Sequence, residues 1–109
     1  MIDPSHYAYR VRWSAEDRQY VATVAEFPSL SWLADSPHEA IDGMLQLASE
    51  VVGEMDVAGE SVPEPIATRR YSGEFVVRTT PEAHRELALD AAEQDVSLNR
   101  LAVARLSRV

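Results

Sequence analysis

The sequence predicts an α+β fold, a small antiparallel sheet with one covering helix followed by a separate strand-helix-helix unit. Three observations predict it. Two short segments near the start alternate apolar and polar residues with the period of a half-buried strand. One long segment after them repeats apolar residues at spacings of three and four. From residue 73 a single further strand runs into two capped helices, and no later strand follows to pair with it.

The first strand is YAYRVRW, residues 7–13, with Tyr7, Tyr9, Val11 and Trp13 on one face and Ala8, Arg10 and Arg12 on the other. The polar SAEDRQ turns the chain, and the β-branched YVATVA, residues 20–25, returns as the second strand of a hairpin. After the break at Pro28, Leu30 to Ala34 reads as a short third strand. Six of the eight aromatic residues precede residue 35, so this sheet supplies most of the large core side chains, Trp13 among them.

SPHE, residues 36–39, marks a helix start, with Ser36 as cap, Pro37 at the first helical position and Glu39 completing a capping box. Ile41, Met44, Leu45, Ala48, Val51, Val52 and Met55 form the stripe that covers the sheet, leaving Asp42, Glu50 and Glu54 in solvent. Residues 1–57 thus read as one layered domain. Residues 58–72, with Gly59, Pro63, Pro65 and the pair Arg69-Arg70, read as a linker with a possible short edge strand at Pro65 to Thr68. The Arg69-Arg70 pair is either solvated or a contact for flanking phosphates.

The last unit, residues 73–109, opens with GEFVVRTTPEAH. Phe75, Val77 and Thr79 alternate with Glu74, Val76 and Arg78. Thr80 caps a helix with Pro81 at its first position and with Leu87, Ala88, Ala91 and Ala92 inward to about Gln94. Ser97 caps the next, which carries Leu98, Leu101, Ala102, Val103 and Leu106, with Val96 and Leu101 placed as a hydrophobic staple. A lone strand leaves its N–H and C=O groups unpaired, and two short helices at this size cannot bury their stripes. Pairing of two copies through Phe75, Val77 and Thr79 solves both problems, and the outward faces of the paired strands then form a ribbon that fits the DNA major groove.

Composition bounds the function. The chain has 109 residues, no cysteine and no lysine, which excludes disulfides, thiolate metal sites and thiol nucleophiles. No apolar stretch approaches a bilayer span and no leader precedes the fold, so a cytoplasmic protein is expected. The formal charge is −8, with five arginines against twelve acids in residues 1–70 and five against six in residues 71–109. That balance opposes nonspecific nucleic-acid binding and suits a basic partner for the front half. His6, His38 and His84 share no ligand spacing, Asp3, Glu26 and Asp35 show none that would hold a metal pair, and Ser97 lies in no nucleophile motif. No catalysis, cofactor or metal is expected.

With strand, TPE cap, alanine-rich helix and VSLN turn in that order, residues 73–109 closely resemble the ribbon-helix-helix unit that ends many HicB-type antitoxins. The front half resembles the HicB N-terminal domain more loosely, through its hairpin, the EFP turn at Glu26 to Pro28 and the DSPHEA helix entry at Asp35 to Ala40. The resemblance implies a partial RNase H-like front domain that holds a small HicA-like mRNA-cleaving toxin inactive, and a tail that dimerises, or assembles further to a tetramer, and represses the shared operon. It implies base reading by Glu74, Val76 and Arg78, with Arg78 the natural donor to guanine, and phosphate contact through the backbone at Ser97, Leu98 and Asn99. Trp32, Glu26 and Phe27 are the expected toxin-facing residues. Two other readings stand beside it. One is a ribbon-helix-helix transcription regulator whose front domain senses a ligand or another protein, with no toxin; the other is an interaction module whose tail dimerises without DNA.

Overall fold

The computed structural model describes residues 1–107, and the chain divides into two compact units, Met1–Tyr71 and a second starting at Ser72. It is an α+β chain with one three-stranded antiparallel sheet and three α-helices among the described residues.

In the front unit, β1 (Tyr9–Ser14), β2 (Gln19–Val24) and β3 (Ser31–Ala34) form a meander in the order β1-β2-β3. The register pairs Val11 with Ala22 and Trp13 with Tyr20 across the hairpin, and Ala22 with Trp32 across the second junction. Since side chains alternate, Tyr9, Val11, Trp13, Tyr20, Ala22, Val24, Trp32 and Ala34 share one face, while Arg10, Arg12, Val21, Thr23, Ser31 and Leu33 share the other.

Helix α1 (Pro37–Val57) lies on the first of these faces. The Ser36 hydroxyl accepts the Glu39 N–H at 3.1 Å and Pro37 fills the first turn, so the helix begins where its otherwise orphaned donors find a partner. It ends in a Schellman turn, in which Glu60 N–H reaches the Met55 carbonyl and Gly59 N–H the Asp56 carbonyl, with Gly59 at φ 73°. Ala40, Met44, Ala48 and Val52, four residues apart, are buried against Ala22, Val24 and Tyr7, with Val11, Tyr20 and Leu47 packed around them.

Trp13 departs from the expected core. Its alternation is right, but it sits one pair from the hairpin turn, outside the set that packs on the core, and is 53% exposed. Residues 58–71 are held on the front unit: Val62 packs on the core, Pro65 is buried, and Ile66–Thr68 is a 3-10 turn rather than a strand.

The second unit contains α2 (Pro81–Glu93) and α3 (Leu98–Leu106). Thr80 Oγ1 accepts the Ala83 N–H and Ser97 Oγ the Arg100 N–H, capping each helix. The turn between them is a second Schellman motif, with Val96 N–H on the Ala91 carbonyl, Asp95 N–H on the Ala92 carbonyl, and Asp95 itself at φ 56°. Arg105 Nη2 meets Asp90 Oδ2 at 2.8 Å and fastens α3 to α2. The segment 74–80 carries no strand pairing among the described residues.

Candidate functional site

The tail presents one candidate surface. Glu74, Phe75, Val76, Val77, Arg78 and Thr79 are all exposed, Phe75 at 74% and Val76 at 83%. Beside this segment an open groove of about 910 Å³ runs along α2 and α3, lined by Val77, His84, Leu87, Leu98, Ala102 and Leu106 among others. Of the apolar residues expected to turn inward, Ala91 and Leu101 are buried and Leu87 and Ala102 half-buried, while Ala88 and Ala92 are exposed. Val103 and Leu106 are exposed at 52% and 64%. The stripe is present, and the described residues cover only its centre. Ser97, Leu98 and Asn99 stand at the start of α3, with the Ser97 hydroxyl already engaged as cap.

The front unit presents a second. Trp13 packs edge-on against Tyr20, with ring centroids 5.0 Å apart and planes at 65°. Trp32 lies diagonally beyond on the same face, its indole laid on Gly43 of α1, where an added Cβ would overlap the ring. Glycine at that turn of the helix is what lets the indole lie so close, while 41% of Trp32 remains exposed. Trp13 and Tyr20 thus stand at the hairpin end of this face, and Trp32, paired with Ala22, stands one same-face step inward and diagonal to Tyr20.

Glu26 and Phe27 are placed differently from Trp32. Glu26 is 8% exposed, and its carboxylate accepts N–H bonds from Ala8 at 3.0 Å and from Ile66 at 2.8 Å. Burial works to raise this carboxyl. The bonds from Ile66, Ala8 and its own backbone N–H, with the Arg69 charge, outweigh that and hold it below its ordinary value. Tyr7 donates to the Pro63 carbonyl at 2.8 Å and packs edge-on against Phe27. Together these groups clasp residues 63–66 to the stretch just before β1, a role that sequence spacing does not reveal because the partners lie 18 to 56 residues apart. Burial also pushes the neighbouring Tyr9 phenol up to about 12, with the Tyr7, Glu26 and Asp3 charges adding to it, so it stays protonated and donates to the Pro4 carbonyl.

Of the other carboxylates weighed for metal, Asp3 caps the 3-10 turn Pro4–His6 and Asp35 accepts from Gln19 at 3.3 Å. Hydrogen bonds from the Ser5 side chain and backbone hold the Asp3 carboxyl below its ordinary value. Among the described residues no group of three or more His, Asp or Glu side chains converges as a metal site, and no helix is long and apolar enough to cross a membrane.

With these surfaces defined, comparison with known proteins adds one finding. Residues 57–106 match the model of the HicB family. The match takes in the clasped segment, the exposed 74–80 stretch and both tail helices, a little under half of the chain. No curated protein and no solved structure matches.

Proposed function

We propose that the chain is an antitoxin of the HicB family, with a front unit that holds a small basic RNA-cleaving toxin and a tail that dimerises and binds operator DNA. The observation that carries the reading lies in the matched stretch: an unpaired, apolar-faced segment at Phe75, Val77 and Thr79 leads into two helices whose shared stripe buries only Ala91 and Leu101. A second copy supplies what is missing. Its segment 73–79 pairs antiparallel with the first, and its helices fill the groove lined by Leu87, Leu98 and Leu106.

The paired strands then turn Glu74, Val76 and Arg78 outward as a two-stranded ribbon for the major groove. Arg78 donates to guanine O6 and N7, Val76 meets a thymine methyl, and Glu74 accepts from a cytosine amine. The N-termini of the two α3 helices offer backbone N–H groups at Ser97, Leu98 and Asn99 to flanking phosphates. With only one basic side chain in each ribbon strand, binding depends on sequence more than on salt.

Inhibition of the toxin is steric and electrostatic. The front unit carries the larger share of the acidity, and it covers a basic RNA-binding surface without any catalysis of its own. The test is coexpression with the small protein encoded beside the gene, scored for a stable complex and for relief of growth arrest, alongside a gel shift on upstream DNA. Rescue with a shift that Arg78→Ala abolishes supports both halves; absence of complex and rescue removes the antitoxin role, and an unchanged shift with Arg78→Ala removes the base-reading assignment.

A further inference from the structure

Resting on the antitoxin reading, we infer that the toxin docks on the aromatic end of the front sheet, with Trp13, Tyr20 and Trp32 as its apolar anchors and Glu16, Asp17 and Asp35 as its charged rim. Trp13 and Tyr20 form a cross-strand pair one step from the hairpin turn, in edge-to-face contact, and Trp13 stands outside the core that α1 makes with Val11, Ala22 and Val24. Trp32, two residues before Ala34 on the same face, is braced by Gly43 and is 41% exposed. As neighbours on one face these aromatic side chains offer a large, rigid contact area, the kind of residue enriched among binding anchors.

Charge selects the occupant. Glu16 and Asp17 lie in the turn that joins β1 to β2, and Asp35 directly follows Ala34, the residue paired with Tyr20. All three are exposed at this end of the sheet, with Arg18 the single cation among them. The opposite sheet face carries Arg10 and Arg12 beside Val21 and Leu33. An apolar centre with a carboxylate rim is complementary to a protein surface with an apolar centre and a basic rim, which is the chemistry of a small RNA-cleaving protein. A second copy of the front unit pairing through this same end would bring carboxylates against carboxylates.

The experiment measures binding of the full-length chain to the inactivated small basic protein encoded beside it, for the wild type and for Trp13→Ala, Trp32→Ala, Glu16→Lys and Arg12→Ala. Trp13→Ala and Trp32→Ala are expected to weaken the complex about 30-fold or more each, as buried aromatic anchors do. Glu16→Lys is expected to slow association several-fold and to flatten its salt dependence, and Arg12→Ala, on the other face, to leave affinity unchanged. Circular dichroism and the operator gel shift check that each variant remains folded; for Trp32, whose indole also packs on α1, Trp32→Phe serves as the milder second variant. If the wild type binds and both tryptophan variants bind as tightly, the surface is misassigned and the antitoxin reading stands. If the wild type itself does not bind, both fall. If Trp13→Ala instead lowers the oligomeric mass, the occupant is a second copy and the inference is overturned.

Discussion

The front and tail units use the same local devices and reach opposite outcomes. Each helix opens on a hydroxyl cap, at Ser36, Thr80 and Ser97, and each unit contains a Schellman turn, at Gly59 in one and Asp95 in the other. In the front unit the devices lead to a closed interior: Met44, Ala22, Ala40 and Ala48 have no exposure, and its one buried carboxylate has its bonds supplied by its own chain. In the tail they lead to two helices with Ala91 and Leu101 buried and Phe75, Val77, Val103 and Leu106 in the open. Local chemistry sets the elements in both. Whether those elements are finished depends on how much apolar surface one chain can cover.

The comparison breaks most severely at Val77. In the proposed dimer a proline there removes a donor from the paired ribbon, so Val77→Pro is expected to leave a monomer that does not bind the proposed operator, while the front unit keeps its own unfolding transition. Light scattering and a denaturation curve on the same sample check both parts. In the front core, Met44→Ala opens a cavity under the sheet and is expected to cost about 2–5 kcal/mol in the front transition, with the mass in solution unchanged. Urea unfolding followed by tryptophan fluorescence reads it, since Trp13 and Trp32 both lie in the front unit.

Glu26→Ala removes the carboxylate that accepts two part-buried N–H groups and is expected to cost the front unit about 1–3 kcal/mol in all. Its pH dependence has a definite sign. Because the folded-state carboxyl titrates below its unfolded value, its contribution is fully present above the unfolded value and is lost as pH falls through the lowered folded value. A Glu26→Gln variant is therefore expected to flatten the acid limb of front-unit stability against pH. The smallest effect belongs to the tail turn: Asp95→Gly relieves the positive φ and is expected to stabilise the tail by up to about 1 kcal/mol, read as a higher midpoint at fixed protein concentration.

Element type was legible wherever a cap preceded a periodic stripe, because caps and stripes are local. SPHE, TPE and VSLN each mark a helix that the structure contains. What periodicity could not reveal is how far a covering element reaches. Trp13 has the alternation of a core residue and lies past the core, and Ala88 and Ala92 belong to an apolar stripe of which the described residues cover only the centre. Glu26 shows the complementary difficulty. An acid beside a proline turn looks like surface, and its engagement with Ala8 and Ile66 depends on residues 58–71 folding back onto the sheet. The Trp32 surface was legible from its short strand, whereas the glycine that braces it sits on another element eleven residues away.

The most direct test of the account is the mass of the intact chain in solution across a concentration series, measured by sedimentation equilibrium with far-ultraviolet circular dichroism on the same samples. The account predicts twice the chain mass, or an even multiple of it, with helical content falling as the dimer dissociates. A chain that stays monomeric at every concentration with its tail helices fully formed would contradict it, because the tail would then be stable with its apolar stripe uncovered.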